Sequence, residues 1–451
     1  MIGNGQGNIT HISNVAAMPA AQKKVKVGRG IKKSAAKKGL NGLQTISAMM
    51  KNLRLQYEAK CKDEKSYPLP AVKNSIREHE ERSQLLVKFT LYSGPCEDCP
   101  VKISSLLSAL RSTRYVHIKE LYVWDLPLKH EDIANLALFL ENGTYRIQYL
   151  ELMDCSIESY AVQRLGRSFL LNCITGLLLD YNQFGDEGCE GLCRGLKNNK
   201  TLQRLSLNYC NLSPISGKVL GDLLTQTAVC DIYLDGNHLE CEGVIEMIKL
   251  LADKAEMEAI KRAEKKEQHS NDPPTSVKPM SAISQMSVTD AAIHVSQATE
   301  PSENFSDAIT HEKPTGKKKG KRKKKSGKKK VKQPPKVGPW VEKIHIANNG
   351  IDAHGPGSNL APVMCMRLFR KLITHSDCLK EIDVEQNLIG DLGGRELLEA
   401  LMDRKEAKLS SIKLRTTHRM NSATFANLVK LGGGLKKKGK KKRGKPGKKR
   451  I

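Results

Sequence analysis

The chain has few aromatic residues, only 4% of its 451 positions. It also has no apolar run of about 18 residues, the length a membrane-spanning helix requires. Its first 20 residues lack the charged start and apolar stretch of a secretory signal, so the expected setting is intracellular. There the twelve cysteines are expected to be reduced thiols rather than a disulfide framework. Motifs that carry chemistry are missing as well. There is no GxxxxGK[ST], no GxSxG, no HExxH and no kinase-like set. Cys96 and Cys99 form a lone CxxC with no second pair at the spacing a four-ligand zinc site needs. His117, His238, His345 and His375 are scattered. No catalytic residue, cofactor site or metal site is expected from these patterns.

What is abundant is positive charge, and it is concentrated. Residues 23–38 carry 8 Lys/Arg, 317–332 carry 12 and 436–450 carry 11, with no Asp or Glu in any of the three. These 31 charges exceed the net +27, so the remainder of the chain sits near neutrality at −4. The chain therefore reads as a near-neutral body with three basic arms. Residues 1–44, 269–337 and 433–451 have too few large apolar side chains to offset the entropy of ordering, and are expected to be disordered.

The body is organised by a repeat. Ile147, Leu150, Leu152, Cys155 and Ile157 set a spacing that returns at Ile174, Leu177, Leu179, Asn182 and Phe184. It returns again at Leu202, Leu205, Leu207, Cys210 and Leu212, and at Val229, Ile232, Leu234, Asn237 and Leu239, in steps of 27, 28 and 27 residues. Copies at Ile118 (with Leu126 at the ninth position), Val341, Leu379 and Leu409, and a partial one at Leu86, extend the series to about eight units. Each first half alternates with the period of a short strand, and each second half has helical spacing, as in Cys189, Leu192, Cys193 and Leu196. The expected fold class is α/β, a solenoid of strand–helix units. Repeats are expected over 86–268 and 338–432, behind a helical cap at 45–85. The Asn or Cys at the ninth position is expected to bond the backbone where the chain leaves the strand, so Cys155 and Cys210 are read as structural.

These residues resemble leucine-rich repeats of the long ribonuclease-inhibitor class. The resemblance implies a curved solenoid used as a binding platform. Ran GTPase activators share this repeat class, but typically end in an acidic tail. This chain ends in a basic one, and no position matches their catalytic arginine. A second resemblance rests on Tyr57-Glu-Ala-Lys-Cys61 followed by Pro68-Leu-Pro-Ala-Val72. This pair resembles the entry segment of centrosomal and ciliary leucine-rich repeat proteins of the 78-kilodalton type, which implies a cytoskeletal location. The competing reading of the same residues is an ordinary helical cap over the first repeat.

The strand positions that point away from the core hold aromatic and acidic side chains. Tyr122, Trp124, Asp154, Asp180, Tyr181, Tyr209, Tyr233 and Asp235 are the candidate partner-binding residues on the concave face. Tyrosine and tryptophan anchor interfaces, and carboxylates favour a basic partner segment. The basic arms suit a polyanion: the acidic tails of tubulin, nucleic acid, or an import receptor. No aromatics interleave with the lysines, so a base-stacking module is not supported. The expected function is a non-enzymatic interaction scaffold at the centrosome or cilium. The alternative is a nuclear or nucleolar protein whose arms bind nucleic acid.

Overall fold

A computed structural model describes residues 34–95, 98–170, 173–270 and 335–433. For residues 34–44, 266 and 268–270 it describes the backbone alone. The basic stretches 317–332 and 436–450, Cys96 of the CxxC, and residues 1–33, 271–334 and 434–451 of the segments expected to be disordered (1–44, 269–337 and 433–451) lie outside the described residues. The chain divides into two compact units, residues 1–156 and 157–451.

The first unit opens with two helices, α1 (Ser34–Asp63) and α2 (Pro70–Glu81). α1 begins ahead of the start near residue 45 that composition suggests. Pro70 stands at the head of α2, where its missing N–H costs nothing, and Val72 and Ile76 turn the same face inward. Two strand–helix steps and a third strand follow: β1 (Lys88–Tyr92), α3 (Ile103–Ser112), β2 (Glu120–Trp124), α4 (His130–Glu141) and β3 (Tyr149–Met153). The strands pair in parallel with Phe89 beside Leu121 and Leu121 beside Leu150. The buried rows Phe89–Leu121–Leu150 and Leu91–Val123–Leu152 form the core side, as the period-2 alternation requires.

The residues behind the centrosomal resemblance have a packing explanation here. Tyr57, Cys61, Leu69 and Val72 are all buried, and the Tyr57 hydroxyl accepts the Leu69 N–H at 3.2 Å. Glu64, just past α1, accepts hydrogen bonds from Ser104, Ser105 and Ser108 of α3. The motif thus closes the apolar edge of the first repeat.

The second unit contains α5 (Ser159–Arg167), β4 (Gly176–Leu178), α6 (Gly185–Leu196), β5 (Arg204–Ser206), α7 (Ser216–Gln226) and β6 (Asp231–Tyr233). It continues with α8 (Glu240–Ser270), β7 (Lys343–His345), α9 (Ala361–His375), β8 (Glu381–Val384), α10 (Gly390–Glu406), β9 (Lys413–Thr416) and α11 (Ser422–Leu431). Six parallel strands align Leu177, Leu205, Ile232, Ile344, Ile382 and Leu414 in one apolar row. β6 pairs directly with β7, although Asp231 and its register partner Lys343 are 112 positions apart. α8 runs for 31 residues and packs on both α7 and α9. The start of α7 lies so close to α8 that a Cβ on Gly217 would fall 2.1 Å from the Gly243 carbonyl oxygen. Ion pairs from Lys371 to Asp253 and Glu256, and from Arg262 to Asp377, tie the far half of α8 to α9 and the loop after it. Nine strands are present among the described residues, and the first of them, β1, belongs to the partial copy at Leu86.

Candidate functional site on the strand face

In six repeats the turn that ends the strand is built by the ninth repeat position. Asn237 is buried; its Nδ2 donates to Leu207 O and Leu234 O, and its Oδ1 accepts from Cys210 N and Leu212 N. Asn387 repeats this with Ile346 O and Val384 O, and with Asn349 N and Ile351 N. Where cysteine takes the position, the thiol supplies only the donor half. Cys155 Sγ donates to Val123 O and Met153 O, and Cys210 Sγ to Leu179 O and Asn208 O. Burial pushes the Cys155 thiol up to about 12 and the Cys210 thiol well above its ordinary value, so neither is a reactive thiolate.

A second ladder runs along the seventh position. Asp180 Oδ1 accepts Asn208 N, Asn208 Oδ1 accepts Asp235 N, and Asp235 Oδ1 accepts Ala347 N. Asp180 also accepts the Ser206 hydroxyl and Asn208 Nδ2, so both of its oxygens are engaged. Its role is therefore to join repeats.

The eighth position is left-handed in seven repeats: Asp125, Asp154, Tyr181, Tyr209, Gly236, Asn348 and Gln386 all have φ between +47° and +71°. Asp, Asn and Gly tolerate that conformation; a bulky side chain there costs on the order of 1–3 kcal/mol. Two of the seven are nonetheless tyrosines. Their rings stack at 4.7 Å with planes 6° apart, and they are 48% and 38% exposed. Tyr209 in turn lies over Gly236, where any Cβ would meet its ring at 2.2 Å. The backbone thus holds two aromatic faces out toward solvent, in a conformation such side chains rarely adopt.

Around this stack the charges are largely paired from strand to strand. Asp231 meets Lys343 at 2.6 Å and Arg204 at 3.6 Å, and Glu342 pairs with Lys380. Glu381 pairs with Lys413 and Arg415, and Asp383 with Arg415 at 2.8 Å. Arg204, Lys343, Lys413 and Arg415 share the face with the carboxylates the sequence suggests, which makes it mixed in charge rather than acidic. Tyr233 packs on the His345 ring at 4.6 Å. His345 lies within 4.0 Å of Asp235, Glu381 and Asp383. Burial still holds its imidazole below the ordinary histidine value, so these contacts are not ion pairs at neutral pH.

No protein-family model matches the chain. A 126-residue stretch, 27% of the chain, is 33% identical to mouse ribonuclease inhibitor and spans 28% of that protein. A 140-residue stretch, 30% of the chain, is 30% identical to NACHT, LRR and PYD domains-containing protein 4B of mouse, spanning 16% of it. A 148-residue stretch, 32% of the chain, is 30% identical to NACHT, LRR and PYD domains-containing protein 12 of mouse, spanning 14% of it. The matches cover under a third of each relative. Together with the nine strand–helix steps and the ninth-position ladder, they establish the repeat type. The fold is a leucine-rich repeat.

The eight residues expected on the open face of the leucine-rich repeats divide between the two units. Tyr122, Trp124 and Asp154 belong to the first. There Tyr122 packs edge-on to Trp124 at 5.8 Å, and Trp124 Nε1 donates to Glu151 at 2.8 Å. Lys88 lies 3.9 Å over the Tyr122 ring, and Asp154 is an exposed turn residue. Asp180, Tyr181, Tyr209, Tyr233 and Asp235 belong to the second unit. Pairwise contacts bring Tyr181 to Tyr209, and Asp180 through Asn208 to Asp235. Arg204 is at an outward strand position in the sequence, as are Lys343, Lys413 and Arg415, which the repeat register alone marks although composition does not.

Asp235 gives a test of the seventh-position ladder. Burial pushes its carboxyl up to about 6, with Asp383 adding to the shift and the Ala347 N–H opposing it. A raised carboxyl stabilises the fold when protonated, and that contribution is lost as pH rises through about 6. Asp235→Asn keeps the acceptor for Ala347 N, as Asn208 does one repeat earlier, and carries no charge. It is expected to raise the thermal midpoint at pH 8 and to change it little at pH 4. An equal shift at both pH values is incompatible with this account.

Proposed function

We propose that the chain is a non-enzymatic scaffold that holds a protein partner on the strand face of its leucine-rich repeats. The observation that carries this reading is the stacked, exposed Tyr181–Tyr209 pair held at left-handed backbone positions. Stability alone favours Asn, Asp or Gly there, and rigid aromatic faces are the usual anchors of protein interfaces. Support also comes from similarity to a protein whose name makes it an inhibitor of a ribonuclease. Because Asp231, Glu342, Glu381 and Asp383 are paired with cations on the same face, the partner that fits has apolar or aromatic anchors and mixed charge, rather than a simple basic segment. Changing Tyr181, Tyr209 and Tyr233 together to Ala is expected to abolish crosslinking of the tagged protein to its partner in cells, with the thermal midpoint within a few degrees of the parent. Undiminished crosslinking overturns the proposal.

The finer reading places this scaffold at the centrosome or cilium, attached by its Lys-rich stretches to the acidic tails of tubulin. It is supported by the charge runs at 317–332 and 436–450, since clustered lysines bind polyanions of any kind. Sedimentation of the full chain with microtubules tests it. Binding is expected, with loss when subtilisin removes the tails; binding to RNA in place of microtubules transfers the reading to a nuclear role.

A further inference from the structure

At the entrance to β6 and β7, three side chains from two distant parts of the sequence converge. Asp231 is the first residue of β6, with Cys230 before it, and Glu342 immediately precedes β7. The direct pairing of these strands sets Asp231 against Lys343, and so Cys230 against Glu342, at the spacing of neighbouring parallel strands. One ligand atom from each of Cys230, Asp231 and Glu342 lies within 4.8 Å of the other two. A cavity of about 470 Å³ opens beside them, lined by Cys230, Glu342, Cys378, Glu258, Arg262 and Trp340.

Asp231 supplies a second observation. The residue is only 8% exposed, and its Oδ2 is taken by Lys343 and Arg204. Its Oδ1 is buried with no hydrogen-bond donor. A carboxylate oxygen left unmet in the interior is costly, and a cation is one group that meets it.

We propose that Cys230 Sγ and the carboxylates of Asp231 and Glu342 form a binding site for a thiophilic divalent cation of the zinc class, with the cavity supplying a water as fourth ligand. The donor set selects the metal. Magnesium and calcium take all-oxygen shells, whereas one thiolate with two carboxylates and an open position suits Zn²⁺ or its spectroscopic substitute Cd²⁺. Lys343 at Asp231 and Lys380 at Glu342 already offset the two carboxylates, so the charge brought by the ion is balanced chiefly at sulfur. The step is Cys–SH + M²⁺ → Cys–S–M⁺ + H⁺, with no change of oxidation state.

The experiment is titration of the reduced, full-length chain with Cd²⁺, read by thiolate-to-metal charge-transfer absorption, with Zn²⁺ as competitor. The expected result is a saturable band reversed by Zn²⁺. Cys230→Ser is expected to remove that band, while Asp231→Asn and Glu342→Gln weaken the affinity about tenfold or more. Cys96→Ser/Cys99→Ser, which removes the other plausible thiol pair, is expected to leave it unchanged. Circular dichroism of each variant without metal confirms that the fold is retained. A second readout is the rise in thermal midpoint with Zn²⁺, expected in the parent and absent in Cys230→Ser. No band in the parent, a band that survives Cys230→Ser, or affinity unmoved by both carboxylate variants overturns the site.

Discussion

Arg404→Met is expected to lower the thermal midpoint of the second unit by roughly 10 °C, corresponding to about 4 kcal/mol for a unit of this size. Arg404 lies in α10, is 2% exposed and has no carboxylate within ion-pairing distance among the described residues. Its guanidinium is held by backbone carbonyls instead. Nη1 donates to Ile373 O and Ser376 O at 2.6 Å each, Nη2 to Leu379 O at 3.2 Å, and Nε to Ser410 O at 2.6 Å. Ile373 and Ser376 belong to the C-terminal end of α9, where unsatisfied carbonyls carry partial negative charge. One planar fork therefore closes the end of one helix, the loop into β8 and the loop into β9. Methionine fills much of the volume and leaves three buried carbonyls, those of Ile373, Ser376 and Leu379, and the more exposed Ser410 carbonyl without this donor. Lysine is expected to restore little, since a single ammonium cannot span the four oxygens. A calorimetric scan in which Arg404→Met melts within 2 °C of the parent rules this account out.

Asn237→Ala is expected to cost about 3 kcal/mol, because it strips the side-chain partner from two buried N–H groups and the buried Leu207 carbonyl at once, while Leu234 O keeps Asn349 Nδ2. The neighbouring repeats provide an internal scale. Cys210 and Cys155 occupy the same position and serve only the carbonyls. Asn237→Cys is therefore expected to fall between the parent and Asn237→Ala in urea unfolding. If cysteine is no better than alanine, the thiol contacts contribute nothing, and the ninth-position cysteines are only small apolar fillers.

The α/β repeat architecture was legible because its causes are local. A buried row every third or second residue, a turn donor at the ninth position and a helical face behind it recur at steps of 27 or 28, and each step dictates the next. Arg404 was not legible: within Met402-Asp-Arg-Lys-Glu406 it has the sequence context of a solvated helix end. Its burial follows from where the α9 terminus and the β9 loop arrive in space. The candidate site was legible in part. Tyr181 and Tyr209 follow from repeat position, but their stacking depends on Gly236 one repeat further on, which leaves room for the ring. Asp180 looks like a surface charge in the sequence, and in the fold it holds a backbone N–H of the next repeat.

The sequence by itself determined the repeat, its register and the separation of a near-neutral body from basic arms, since all three are set by periodicity and composition along the chain. Tertiary structure alone decided which charges neutralise one another. Lys343 reaches Asp231, and Glu342 comes beside Cys230, only because β6 and β7 pair across 112 positions. Parallel strands bring residues of equal repeat position within 5 Å however long the chain between them, and no local pattern encodes that distance.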